Sequence, residues 1–360
     1  MAVTVDQVLN ALRVVQDPDL HKDLVSLDFI KEVTIQDGRV AFKIELTTPA
    51  CPVRDQMKEQ AREAVGALPG VSGVEITMTS RVRTSIPTQT SGLLVPTVKN
   101  VIPVASGKGG VGKSTVSANL AHALARTGAR VGIMDADVYG PSIPTILGVT
   151  GRPEVGEGNR FMPVEHDGLK VMSMAFFIKP EEAVVWRGPM LHKTMEKFLG
   201  GVQWGELDYL IIDLPPGSGD VPLSLCQFIP ITGAVVVSTP QHVATNVAQK
   251  AVAMFKKLNV PILGIIENMS YYLAPDGTRD EIFGNGGARQ IAERFQIPFL
   301  GEIPLATPIR VASDAGRPIV LTEPDSLWAK AFTAVAENLA AQVSIRGMQD
   351  ELVPPIKITF

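Results

Sequence analysis

"SGKGGVGKST", residues 106–115, fits G-x-x-x-x-G-K-[ST] from Gly107 to Ser114. It follows the apolar run "NVIPVAS", which reads as a strand, and leads into "TVSANLAHALA", which reads as a helix. A glycine-rich turn between strand and helix aims backbone N–H groups inward, where they cradle phosphate oxygens at the positive end of the helix dipole. The expected cradle is Gly107, Lys108, Gly109, Gly110, Val111, Gly112, Lys113, Ser114 and Thr115. Lys113 is placed to reach the β- and γ-phosphates of ATP, and Ser114 to ligate Mg²⁺. The loop holds a second lysine, Lys108, that this chemistry does not require.

Downstream of the loop, short β-branched runs alternate with helical stretches: "ARVGIMDAD", "LDYLIIDLP", "GAVVVSTP", "VPILGIIENM" and "IPFLGEIP". Nearly continuous apolar strands separated by helices predict an α/β fold, a doubly wound and mostly parallel sheet covered on both faces. In such a sheet ligands sit at the carboxyl ends of the strands. Two strands end there in acids, Asp135 and Asp137 in "IMDADVYGPS" and Asp213 in "YLIIDLPPGSGD". A strand-ending aspartate can simply cap a turn. Beside a phosphate loop, these are candidates for orienting a water or holding a metal through one.

Ahead of the loop lies a different pattern. Val5, Val8, Leu9, Leu12 and Val15 recur at helical spacing, predicting a helix over 5–16. "FIKEVTIQDGRVAFKIEL" reads as a hairpin turning at Asp37-Gly38. A second helix through Met57, Ala61, Ala64, Val65 and Leu68, then the strand "VSGVEITMTSRV", complete a small α-β-β-α-β domain over 1–83. The Ser/Thr/Pro-rich stretch 84–97 reads as a linker, 98–345 as the phosphate-binding domain with a last helix over 325–344, and 346–360 as a tail.

Composition narrows the function. Apolar residues make up 45% of the chain, enough for a sizeable core. Residues 1–83 carry 10 Lys and Arg against 12 Asp and Glu, and the remainder carries 23 against 25. No basic excess points to nucleic acid or to an anionic membrane. The start lacks a signal-peptide pattern and no run is long enough to span a bilayer, so a cytoplasmic setting is expected. Cys51 and Cys226 stand far apart, and a structural disulfide between them is not expected there.

The early lysine in G-K-G-G-V-G-K-S-T resembles the deviant phosphate loop of the nitrogenase iron protein and of the septum-placement and plasmid-partition ATPases. "DADVYGPSIPTILG", "IIDLPPGSGDVPLSL", "VVVSTPQHVA", "GIIENMSYY" and "IFGNGGARQIAERF" sharpen this. Together they look like the Mrp/ApbC-type ATPases, the iron–sulfur cluster carriers. "VVQDPDL" and "LTTPACPV" liken the front domain to one found in iron–sulfur assembly factors. The resemblance implies a homodimer closing over two nucleotides, with Lys108 reaching the partner's phosphates as a catalytic group; the bland alternative is a solvated loop lysine. It implies that Lys113 and Asp137 act in hydrolysis, that Asp137 orients the attacking water, and that Asp213 holds Mg²⁺ through water. Asp220 would close the second switch, and Asn268 would hydrogen-bond the adenine edge. Apoproteins or other assembly factors are the implied partners.

One segment departs from the family. After Asn-Met-Ser, many members carry a C-x-x-C pair that binds a bridging [4Fe–4S] cluster. This chain reads "NMSYYLAPDGTRDEIFG", with Ala274 and Gly277 at the expected positions. Neither supplies a thiolate, and the hard carboxylate of Asp276 is a poor substitute. Cys51, before Pro52, reads as a helix N-cap whose dipole would activate the thiol as a ligand, against the alternative of a buried structural thiol. Cys226 in "LSLCQFI" reads as a packed core residue. A competing function is therefore a cluster-free ATP switch that positions a protein partner. A reductase like the nitrogenase iron protein also needs seam cysteines and is the weaker third.

Overall fold

The computed structural model describes residues 3–84, 94–177, 196–217, 222, 225 and 228–352. It divides into two units, one running to Arg83 and taking up the chain again from Ser344, the other spanning Thr84–Val343.

In the smaller unit, helix α1 (Val5–Leu12) opens with a capping box. Gln7 N–H donates to Thr4 Oγ1 at 3.3 Å while Thr4 N–H donates to Gln7 Oε1 at 2.9 Å, satisfying two donors that the first turn leaves unpaired. The helix stops short of the expected residue 16, yet Val15 remains buried. Strands β1 (Ile30–Gln36) and β2 (Arg39–Leu46) form the expected hairpin, with Asp37 at φ 49° and Gly38 at φ 78°. A Cβ on Gly38 would stand 2.7 Å from the Gly70 carbonyl oxygen, so only glycine fits that turn. Helix α2 (Arg54–Gly66) crosses over to β3 (Gly73–Ser80), which pairs parallel to β2. Its apolar stripe, Met57, Ala61 and Val65, packs with Leu12, Phe42 and Ile44 into one core.

The larger unit is built on a nine-stranded sheet. Its strands are β4 (Val101–Ser106), β5 (Val131–Asp135), β6 (Val164–His166), β7 (Leu169–Ser173), β8 (Tyr209–Asp213), β9 (Ala234–Ser238), β10 (Ile262–Leu273), β11 (Arg279–Asp280) and β12 (Phe299–Leu305). The order is β6-β7-β5-β8-β4-β9-β10, with β11 and β12 both paired to β10. All pairings are parallel except β6/β7 and β10/β11. The six strands expected from apolar runs are present. The antiparallel turn into β7 was not expected, because its Asp167-Gly168 turn sits in a polar stretch.

Helices α3 (Lys113–Arg126), α4 (Ile143–Leu147), α5 (His242–Lys257), α6 (Gly287–Phe295), α7 (Thr307–Asp314) and α8 (Ile319–Thr322) fill the connections. The long C-terminal helix α9 (Leu327–Leu352) runs past the expected end at 344. Its segment from Ser344 belongs to the smaller unit, where Met348 packs against the core. What was expected as a loose tail from 346 is helical as far as Leu352. The linker expected at 84–97 falls largely outside the described residues. No helix among the described residues is long and apolar enough to cross a membrane.

Candidate functional site

Strand β4 is buried along its whole length, and its neighbours are β8 on one side and β9 on the other. The strand order runs outward from β4 to both sides, and this switch point opens a crevice at the carboxyl edge, where the 107–115 loop lies. Gly110 and Gly112 sit at φ 80° and 81°, the left-handed region. A Cβ on Gly107 would stand 2.5 Å from Ala248 N, so α5 comes down directly on the loop. A Cβ on Gly109 or Gly110 would meet nothing within 4 Å, which leaves that face open to a ligand. The loop lines a cavity of about 230 Å³ together with Asp137 and Ser142.

Asp213, at the end of β8 and fully buried, is the hub. Its Oδ2 accepts from Lys113 Nζ and from Ser114 Oγ, each at 2.6 Å, and its Oδ1 accepts from Ser117 Oγ at 2.6 Å. Asp137 Oδ2 lies 4.0 Å from the same Lys113 Nζ. Charge-assisted bonds of this length are the strong kind. Removing one partner would leave an uncompensated buried charge at a cost of about 3–5 kcal/mol. Ser114 and Asp213 offer hard oxygen donors that, with phosphate oxygens, suit Mg²⁺. Ser117 is the functional residue that the sequence reading missed. It lies one helical turn beyond Ser114, on the same face of α3, and that i, i+3 spacing was the available signal.

Asp135, ending β5, holds the segment that carries Asp137. Its Oδ1 accepts the Asp137 N–H at 3.1 Å, while its Oδ2 accepts the Ile143 N–H at 3.0 Å and the Ser173 hydroxyl at 3.1 Å. Burial, with the Asp213 carboxylate beside it, pushes the Asp135 carboxyl up to about 7. Asp137 in turn accepts N–H bonds from Tyr139 at 3.3 Å and Gly140 at 3.2 Å. Burial raises its carboxyl above the usual range against the pull of Lys113.

Lys108 lines the same cavity and is bonded outside this hub. Its Nζ lies 3.5 Å from Gln241 Oε1, the residue preceding α5, and the side chain is half-buried. Asn268, near the end of the inner part of β10, donates from Nδ2 to the Val111 carbonyl at 2.8 Å. It lines a second cavity of about 410 Å³ with Thr115, Ile146, Leu305 and Ile309. The neighbouring Glu267 faces the other way. Its fully buried carboxylate accepts from Ser270 Oγ at 2.7 Å, Gly286 N–H at 3.2 Å and Ala288 N–H at 2.7 Å, capping α6 from within the sheet.

Beyond Asn268 the strand changes character. Met269 takes φ 54°, the register against β12 shifts, and the chain turns through a hairpin into β11. Ala274 and Gly277 form the tip. Ala274 N–H donates to Thr278 O and Gly277 N–H to Ala274 O, each at 2.9 Å. Asp276 is spent on the turn, accepting the Thr278 N–H at 2.9 Å. Among the described residues, no three His, Cys, Asp or Glu side chains group as a metal site.

Cys51 is not the helix cap that the sequence suggested. Helix α2 begins at Arg54 with Val53 as its cap, because residues 51–53 form a separate turn in which Arg54 N–H donates to Cys51 O at 3.3 Å. The partly buried thiol packs against the core of the smaller unit, without the helix end that would activate it. Asp220 and Cys226 lie outside the described residues.

Comparison with known proteins accounts for both units. A family model described as NUBPL iron-transfer P-loop NTPase matches residues 97–340, and one described as iron–sulfur cluster assembly protein matches residues 5–78. The iron–sulfur cluster carrier protein of Deinococcus radiodurans is 49% identical over 347 residues, covering 96% of this chain and 97% of that one. That of Synechocystis sp. is 46% identical over 354 residues, covering 96% and 99%. A solved nucleotide-binding protein from Archaeoglobus fulgidus, in complex with ADP, is 42% identical with a TM-score of 0.57. It covers 66% of this chain, and the match takes in 93% of that one. This chain belongs to the iron-transfer P-loop NTPases, the iron–sulfur cluster carrier family.

Proposed function

We infer that the chain is a Mg²⁺-dependent ATPase that works as a homodimer and uses the nucleotide to govern the loading of iron–sulfur clusters and their release to apoproteins. The observation that carries this is the convergence of Lys113, Ser114 and Asp213 at 2.6 Å within a family match that spans both units. The triphosphate lies along the Gly107–Thr115 loop, where Lys113 turns from Asp213 to the β- and γ-phosphates. Ser114 and, through water, Asp213 would hold Mg²⁺, which would supply charge neutralisation for the triphosphate. Asp137, held by the Tyr139 and Gly140 amides, orients the attacking water. The adenine occupies the second cavity against Asn268. Lys108 reaches across the closed dimer and stabilises charge developing on the partner's transferred phosphoryl group, as an arginine finger does.

The cluster is cargo. Ala274 and Gly277 carry no thiolate to bind it. Cys51 is the thiol offered by the described residues, and as one ligand per chain it needs others from a second copy or from a client. The missing thiolate pair favours one alternative, a cluster-free ATP switch that positions a protein partner. The charge balance speaks against nucleic acid or membrane as that partner.

Anaerobic reconstitution with iron and sulfide, followed by visible absorption and iron determination, separates the two readings. A brown protein that is bleached in Cys51→Ala supports a carrier with its ligand in the front unit. A colourless, iron-free protein that still hydrolyses ATP supports the switch.

A further inference from the structure

Asp137 faces the phosphate cavity from a segment that has little regular structure of its own. Residues 138–142 belong to no helix or strand, and Tyr139 among them is 68% exposed. One carboxylate fixes this stretch at both ends. Asp135 Oδ1 accepts the Asp137 N–H at 3.1 Å, and Oδ2 accepts the N–H of Ile143, the first residue of α4, at 3.0 Å. The two oxygens share one plane, so the orientation of that group places both ends of the segment together. A third donor meets Oδ2, the hydroxyl of Ser173 at 3.1 Å.

Ser173 ends β7 and stands beside Asp135 in the parallel register, and both side chains are fully buried. A carboxylate that meets no water takes its stabilisation from protein donors alone. Ser173 Oγ also accepts the Ala175 N–H at 3.1 Å, which engages a lone pair and leaves the single hydroxyl hydrogen for Asp135. The end of β7, Asp135 and the Asp137 segment are thus one bonded unit. Ser173 itself lines neither the phosphate cavity nor the larger one beside it.

We propose that Ser173 is a positioning residue of the hydrolytic step: by bonding Asp135 Oδ2 it sets the carboxylate that pins both ends of the 137–143 segment, and so holds Asp137 against the phosphate cavity. The inference rests on the reading of Asp137 as the group that orients the attacking water; what it adds is a control point outside the cavity. Loss of the hydroxyl slackens the segment without touching the loop that binds triphosphate. Turnover suffers and affinity does not.

The test uses the full chain with Mg²⁺ and measures steady-state ATP turnover, with ATP affinity by equilibrium dialysis. The parent is compared with Ser173→Ala, Ser173→Thr and Ser173→Val. Threonine and valine share a shape and differ in the hydroxyl, so the gap between them reads the hydrogen bond apart from packing. The alanine and valine variants are expected to lose about tenfold to a hundredfold in kcat while binding ATP within about threefold of the parent. The threonine variant is expected to keep kcat within about threefold. Equal losses in threonine and valine, a kcat within about threefold of the parent in Ser173→Ala, or affinity falling in step with turnover would each overturn the role. Should circular dichroism show that the variants do not fold, amide hydrogen exchange in the parent decides. The Asp137 and Ile143 amides are expected to exchange at least about tenfold more slowly than those of Tyr139 and Gly140, and equal rates would overturn the pinning. A parent that binds ATP without hydrolysing it would instead sink the ATPase reading on which this rests.

Discussion

The two halves of strand β10 stand in contrast. As far as Asn268 the strand is parallel to its neighbours and almost wholly buried, and its last two side chains are each committed to fixed partners. From Met269 onward it is half-exposed, paired antiparallel with β11, and closed by a turn whose hydrogen bonds are mostly backbone to backbone. The first half holds the phosphate loop through Asn268 and the start of α6 through Glu267. The second half is a well-formed hairpin whose tip, Ala274 and Gly277, carries no thiolate. Within one strand, side chains that hold the loop and a helix start give way at Met269 to a turn with no metal-binding group among the described residues.

The largest effect that would break this contrast lies at the nucleotide end. Lys108→Ala is expected to cut steady-state ATP turnover by at least about 10³-fold, the scale of a finger residue, while equilibrium dialysis still finds ATP bound to the monomer. Unchanged turnover would return Lys108 to a role no larger than its contact with Gln241. At the other end, Ala274→Cys combined with Gly277→Cys should give the hairpin what it lacks. Iron bound after reconstitution is expected to exceed the parent's, read by absorption and metal analysis. No gain would mean that the hairpin's shape, and not just its missing thiolates, excludes the cluster. Gly277 lies at φ 83° in open space, so that substitution meets no clash but carries left-handed backbone strain of about 1–2 kcal/mol.

A third test concerns His122, buried on α3 with its Nε2 unpartnered. Burial lowers its imidazole from an ordinary value of 6.5 to about 4. Between those values the unfolded chain binds more protons than the folded one, so stability rises with pH across that window and is lost as pH falls through it. The loss by pH 4 is about 3 kcal/mol. Urea denaturation of His122→Leu should show a shallower acid limb over the same interval. The smallest effect is expected back in the hairpin. Arg279 lies 3.9 Å over the Tyr271 ring and 2.9 Å from Glu302, both partly solvated contacts. Arg279→Ala should cost less than about 1 kcal/mol and leave ATP turnover unchanged.

Much of this was legible in the sequence. The loop pattern in its strand–helix setting specified the sheet class; Asp137 and Asp213 stood out as strand endings, and Asn268 came from the family resemblance. What escaped depends on tertiary placement. Ser117 reads as an ordinary helical serine until the fold brings Asp213 beneath it. Asp135 and Glu267 look like further strand-end acids, and only tertiary placement shows that they tie down the Asp137 segment and the start of α6. Cys51 misled because Pro after a polar residue suggests a helix start, whereas an extra turn intervenes before Arg54. The end of α9 escaped because residues such as Met348 pack on a core distant in sequence.

The alternation of Glu267 and Asn268 carries a consequence for how this strand can vary. Successive side chains of a strand point to opposite faces, so a single insertion or deletion between Ile262 and Glu267 would exchange the two. A carboxylate would then confront Val111 O, setting acceptor against acceptor, while a neutral amide would be left to serve the amides of Gly286 and Ala288. Length in this stretch is fixed by parity, and change can enter only in pairs of residues or beyond Met269, where the hairpin absorbs it.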